Sequence, residues 1–179
     1  MSRRFGSQKL IYEINGIPVI CRSLKNCLAS QLDEILVITG SEREKVENVI
    51  RSSFPGEERI KIFYNNSYRK GMFSSFKTGL SLLDEQCKGV MMLFGDMPYV
   101  SSDIINILLD SWEKNLFIIP RAGGTLTHPR IVPSFLFEEF MKISDDGRGV
   151  DIIKKYSKEV REIIFKDNGM FRDLDVLLS

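Results

Sequence analysis

Cysteine, histidine and long apolar runs are the scarce features of this 179-residue chain, and each scarcity excludes something. Three cysteines, Cys21, Cys27 and Cys87, are an odd number without C-x-x-C spacing, which fits neither a disulfide framework nor a zinc site. A cytoplasmic, reducing home is therefore expected, with Cys21 and Cys27 packed in the core because they fall within an apolar helical pattern. The basic amino terminus is followed by no apolar segment of signal-peptide type, and no run is long enough to span a bilayer. Net charge is nearly absent too: 25 Lys+Arg against 24 Asp+Glu leave +1, so no global field points to nucleic acid or a membrane surface. Any anion site has to be built locally. The single histidine, His128, has no Cys or His partner for a metal, and packing or a substrate contact is the reading set against a general base.

What is present is the composition of one globular domain over residues 1–179, with 43% hydrophobic and 27% charged residues. Its organising stretch is Gly89 to Val100, GVMMLFGDMPYV. The apolar run Val90 to Phe94 has the length of a buried strand, and Gly95 and Pro98 end it around Asp96. A helix follows, with Ser101 or Ser102 as N-cap before Ile104, Ile105, Leu108, Leu109 and Trp112. A carboxylate just past the carboxyl end of a buried parallel strand lies where open α/β sheets bind ligands, so Asp96 is the candidate metal ligand.

The rest of the chain alternates in the same way. Ile11 to Glu13 is extended, Asn15-Gly16 a turn, and Pro18 to Ala29 a helix burying Val19, Ile20, Leu24, Cys27 and Leu28. Glu34 to Thr39 reads as a strand, and Ser41 with Glu44 as the capping box of a helix that buries Val46, Val49, Ile50 and Phe54. Arg59 to Tyr64 is a third extended run, Asn65 to Ser67 a loop, and Phe73 to Gln86 a helix. Leu116 to Pro120 is a strand, Arg121 to Pro133 a Gly-rich extended region and Ser134 to Ile143 a short helix. Asp145 to Gly149 is a turn, Val150 to Tyr156 a helix and Val160 to Phe165 a strand, before a terminal segment from Phe171 to Leu178. Such alternation implies βαβ units, a mostly parallel sheet and helices on both faces. No linker divides the chain, so the loops from Tyr68 and Arg121 are expected to wall a site.

Four further groups carry candidate chemistry. Arg3, Arg4 and Lys9 around Gly6 supply cations for a triphosphate, with a solvated basic tail as the plain alternative. Gly71, Ser74 and Ser75 stand at a helix start, where free amides hold a base or phosphate edge, though simple capping explains one serine. Asp173 and Asp175 alternate in an extended segment and so share a side, which suits Mg²⁺ or merely a solvated terminus. Asp145, Asp146, Gly147 and Arg148 have the composition of a turn.

Together these pieces resemble the MobA-like nucleotidyltransferase family, and within it the molybdenum cofactor cytidylyltransferase branch. Members begin with a strand and the loop L-A-A-G-x-S-x-R-M-G-x-x-K, whose second half is similar to Ser2-Arg3-Arg4-Phe5-Gly6-Ser7-Gln8-Lys9-Leu10. Gly71 to Leu80 resembles G-M-x-S-S-L-x-x-G-L, and Gly95 to Val100 resembles G-D-M-P-x-V. His128-Pro129, the Asp145-Asp146-Gly147 turn and Asp173-Leu174-Asp175 follow in the family's order. The resemblance implies a three-layer, Rossmann-like α/β fold and transfer of CMP from CTP to the terminal phosphate of molybdopterin, releasing pyrophosphate. It places Arg4, Lys9 and Asp96 in catalysis, with Ser2, Gly6, Gly71, Ser74, Ser75 and Gly95 around the nucleotide. It sets His128, Asp145, Asp146 and Gly147 toward the pterin, and Mg²⁺ on Asp96 and Asp175, with Asp173 the alternative ligand. A molybdenum hydroxylase is the implied recipient of the product. Related readings are a transferase using GTP, one acting on a sugar or alcohol phosphate, and a silent cofactor-binding chaperone.

Two departures from the family pattern have structural consequences. The first strand and the L-A-A-G loop do not precede Ser2, which predicts a gap in the sheet, an incomplete phosphate loop and weak or absent catalysis by the 179-residue form. The carboxyl end runs Val176-Leu177-Leu178-Ser179 in place of the family's T-P-E-D.

Overall fold

The computed structural model describes residues 9–145 and 149–172. A 3₁₀ turn at Lys9–Ile11 leads into a hairpin of β1 (Glu13–Ile14) and β2 (Ile17–Pro18). Its turn residues Asn15 and Gly16 have φ of 52° and 73°, the left-handed pair that matches the twist of a two-residue hairpin. Then come α1 (Val19–Leu28), β3 (Ile35–Thr39), α2 (Arg43–Ser53), β4 (Ile60–Tyr64), α3 (Met72–Leu80), β5 (Gly89–Met92) and α4 (Ser102–Asp110). The second half adds β6 (Phe117–Ala122), β7 (Thr125–Leu126), β8 (Arg130–Pro133), α5 (Phe137–Lys142), α6 (Val150–Lys155) and β9 (Val160–Phe165).

The α/β class expected from the alternation is the one observed, but the sheet is mixed rather than mostly parallel. β3 pairs β4 and β6 pairs β9 in parallel, whereas β8 runs antiparallel to both β5 and β6, and β7 folds back on β6. The cause is local. Gly123 and Gly124 take φ of 55° and 80° and reverse the chain directly, and a strand reached without a crossover helix enters antiparallel. The Gly-rich region from Arg121 to Pro133 is therefore a strand-forming return. Among the described residues β3–β4 and the five-stranded sheet are not hydrogen-bonded to each other.

Two helices tie these sheets together from opposite faces. On one face, Ile20 and Leu24 of α1 pack with Val46 and Ile50 of α2, with Ile35, Val37, Ile60 and Ile62 against them. The same helix reaches the β5 side, where Ser23 Oγ donates to the Gly95 carbonyl at 3.0 Å and Asn26 Nδ2 to the Pro98 carbonyl at 3.2 Å. On the other face, Gly79 of α3 lies against Ile38, while Phe76, Leu80 and Leu83 join Val90 around Phe117, Ile119 and Phe140. α4 fills the centre with Ile104, Ile105 and Leu108 against Ile118 and Ile131. Cys21 and Cys27 are buried as expected, and burial pushes the Cys27 thiol up to about 12.

Boundaries shifted where side chains competed with helix hydrogen bonds. α3 stops at Leu80 instead of Gln86, and Asp84 Oδ1 accepts from the Gln86 amide at 2.7 Å in a local turn. The Ser41–Glu44 capping box does not form: the N-cap of α2 is Glu42, left-handed at φ 50°, with no side-chain cap. The left-handed residue moves the helix start one position past Ser41. For α4 the cap is Ser101, whose hydroxyl accepts from the Ile104 amide at 3.4 Å.

Candidate functional site

Asp96 stands in the turn that follows β5, and this turn is braced from several sides. The Met97 amide donates to the Phe94 carbonyl at 3.2 Å and the Val100 amide to that of Met97 at 3.3 Å. The carbonyls of Gly95 and Pro98 are held by α1, as above. Gly95 is needed for closeness: a Cβ there would meet Ile20 Cδ1 at 2.8 Å and Leu10 Cδ2 at 3.3 Å. The carboxylate is mostly covered, 14% exposed, and contacts the Lys9 ammonium, itself 22% exposed, in an ion pair. Lys9 and Asp96, far apart in sequence, are thus brought together.

The second group forms around Asn65, in the loop after β4. Asn65 is buried at 3% exposure, just beyond β4, with its amide donating to the Thr39 carbonyl at 2.9 Å. Its Nδ2 donates to Ser74 Oγ at 2.8 Å and Ser75 Oγ at 3.0 Å, and its Oδ1 accepts from the Ser67 amide at 2.8 Å. Ser74 spends its proton on the Gly71 carbonyl at 2.7 Å, so it is a strut of the turn. Gly71 itself has φ 134°, a conformation that favours glycine. Among the described residues, the Ser75 hydroxyl accepts from Asn65 and donates to no acceptor.

The third group lines a cavity of about 270 Å³ between the start of α3, the β5–β8 face and the start of α6. His128 lies in its wall, tilted on Phe94 with ring centroids 4.3 Å apart, two residues before Asp96. Burial, helped by the Arg130 cation, pushes the imidazole down to about 3, so it is neutral throughout the physiological range. Arg130, opposite Met92 in the β5–β8 register, faces the same cavity. Sequence reasoning passed over it; the available signal was one charge opening the strand RIVP, whose next three residues are buried. Asp145 is placed on α3 by an ion pair of its Oδ1 with Lys77 Nζ at 2.9 Å. A larger groove of about 390 Å³ between α3 and α5 contains none of these groups.

Ser2, Arg4, Gly6, Asp146, Gly147, Asp173 and Asp175 lie outside the described residues. Among the described residues no three His, Cys, Asp or Glu side chains cluster for a metal. Asp96 nevertheless suits a hard divalent ion. It is an oxygen donor already facing a cation, and Mg²⁺ typically takes one or two carboxylates and leaves the remaining positions to water and substrate phosphates. Also among the described residues, no helix is long and apolar enough to cross a membrane.

Comparison with known proteins gives the family. The profile of the MobA-like NTP transferase domain matches residues 1–160. The purine catabolism protein PucB of Bacillus subtilis is 25% identical over 178 residues, 97% of this chain and 86% of that protein. A protein of Thermococcus sibiricus named "Probable molybdenum cofactor guanylyltransferase" is 26% identical over 123 residues, 67% of this chain and 56% of that one. Among solved structures, the manganese complex of Rv0371c from Mycobacterium tuberculosis shares the fold with TM-score 0.69 and 15% identity, over 88% of this chain and 81% of the other.

Proposed function

The chain belongs to the MobA-like NTP transferase family, and on that premise we propose that it transfers CMP from CTP to the terminal phosphate of molybdopterin, releasing pyrophosphate. The observation that carries this reading is the Lys9–Asp96 pair at the braced turn after β5: one phosphate-binding cation beside one metal-binding carboxylate. The acceptor is supported by the name of the Thermococcus relative. Its terminal phosphate is a monoester, largely dianionic at neutral pH, so one of its oxygens attacks the α-phosphorus without a side-chain nucleophile. The bond to the bridging oxygen breaks and the electron pair leaves on pyrophosphate. What the protein supplies is positioning and charge compensation.

In this reading Lys9 and Arg4 neutralise the triphosphate, and Ser75, held by Asn65, meets the base near Gly71 and Ser74. Ser2, Gly6 and Gly95 let backbone approach the nucleotide. His128, Asp145, Asp146 and Gly147 belong to the acceptor side. Asp96, with Asp175 or Asp173, would hold Mg²⁺, which when bound offsets the charge of the phosphates.

GTP is the second reading, favoured by the printed name of the Thermococcus relative. Pyrophosphate release with CTP, GTP and ATP in the presence of molybdopterin, with and without EDTA, distinguishes the two. Asp96→Ala should abolish release while leaving the thermal transition cooperative. Release near the wild-type rate in that variant would remove Asp96 from the mechanism.

A further inference from the structure

We propose that Arg130 is the specificity-determining residue of the acceptor site: it reads two adjacent hydrogen-bond acceptors, a carbonyl oxygen and a ring nitrogen, on the edge of a flat fused heterocycle held in the cavity beside His128. The inference rests on the transferase reading for its place in the reaction, but its evidence is the cavity itself.

Size comes first. A dry apolar cavity of about 150 Å³ holds one benzene ring, so about 270 Å³ accommodates a fused pair of rings but not a whole nucleotide with its sugar and phosphates. The walls are flat and polarisable: Phe73, Phe117 and Phe140 surround the space, with Met92 on the strand face. Aromatic and thioether surfaces of this kind favour a conjugated ring over a flexible aliphatic chain.

Polarity then selects the ring's edge. Among the described residues, Arg130 and His128 are the only polar side chains in the lining. Arg130 Nε donates to the Thr127 carbonyl at 3.0 Å, which orients the guanidinium. Its terminal N–H groups meet no protein acceptor among the described residues. Burial lowers the pKa of this half-buried group. A planar fork with spare donors pairs with neighbouring oxygen and nitrogen acceptors as arginine does with a purine edge. An aliphatic carboxylate would match the fork but leave the aromatic walls unfilled. The neutral His128 ring, tilted on Phe94, adds one donor and one acceptor.

The test is calorimetric titration of the full chain with free pterin and, as a fused ring without the acceptor pair, indole. Arg130→Met should weaken pterin binding by roughly 5- to 150-fold, the discrimination expected of a bidentate pair, and leave indole binding unchanged. Arg130→Lys should also weaken pterin, because a point charge does not span two acceptors; it keeps the charge and so carries the test if the methionine variant does not fold. Equal pterin affinity in wild type and both variants, or no pterin binding to wild type at millimolar concentration, overturns the proposal. Failure of the transferase reading is separable: pterin bound through Arg130 with no nucleotidyl transfer refutes that reading alone. Transfer to molybdopterin with wild-type KM in Arg130→Met refutes only this one.

Discussion

Replacing Asn65 by alanine tests whether the nucleotide side of the site is held by a buried amide. The change removes three side-chain hydrogen bonds, to Ser74 Oγ at 2.8 Å, Ser75 Oγ at 3.0 Å and the Ser67 amide at 2.8 Å. At roughly 0.5–1.5 kcal/mol net for each, stability should fall by about 2–4 kcal/mol. For a domain of this size that corresponds to a drop in Tm of roughly 5–15 °C. Asn65 is 3% exposed, so water does not readily replace the lost amide. Released from Asn65, Ser75 has to be reordered on binding, and the affinity for nucleoside triphosphate should fall roughly fivefold, from about 1 kcal/mol per reordered side chain. Urea unfolding followed by far-UV dichroism gives the first quantity, and calorimetry with CTP and GTP the second. Ser75→Ala is the internal control, losing a single bond and so about 1 kcal/mol. A loss below about 0.5 kcal/mol in Asn65→Ala, together with unchanged nucleotide affinity, would refute the reasoning.

Three other expectations follow from the same structure. His128 has its pKa lowered from 6.5 to about 3, so between these values the unfolded chain takes up a proton that the folded one refuses. Its contribution is present above about pH 6.5 and is lost as pH falls, at up to about 1.4 kcal/mol per unit, which urea midpoints for wild type and His128→Gln at pH 7, 5 and 4 measure as a difference in slope; parallel profiles would exclude it. Of the thiols, Cys87 should react first with a disulfide reagent in the native protein, while Cys21 and Cys27 wait for unfolding; simultaneous labelling of all three contradicts the burial. Gly89→Ala would place a Cβ 2.6 Å from Trp112 Cζ2 and 3.2 Å from the Val132 carbonyl. With the indole anchored by its bond to the Leu116 carbonyl, the cost should be roughly 1–3 kcal/mol, read as a lower unfolding midpoint with an unchanged m-value.

Much of this molecule was legible where the signal is local. The strand before the Gly95-Asp96 turn, a serine cap at Ser101 or Ser102, the Asn15-Gly16 turn and the burial of Cys21 and Cys27 each depend on a few neighbouring residues, and each appears in the structure, with the strand at Gly89–Met92 and the cap at Ser101. The capping box at Ser41 was equally local and failed, because the turn out of β3 passes through a left-handed Glu42. Asn65 read as loop filler since nothing in Asn-Asn-Ser shows that the β4 end and the α3 start converge on one amide. The ion pair of Asp145 with Lys77, 68 residues away, likewise has no local signal.

By itself, the order of apolar runs and breakers determined an α/β chain of alternating elements with a carboxylate turn after β5, because periodicity and chain-breaking residues act over one or two turns. Tertiary structure alone decided how the strands pair, since pairing depends on how Gly123 and Gly124 return β8 against β6 and β5. It also decided that Lys9 meets Asp96, that Asn65 clamps two serines, and that Arg130 faces a cavity beside a neutral His128. Those are contacts between residues distant in the chain, and their energies come from burial and geometry that no stretch of sequence contains.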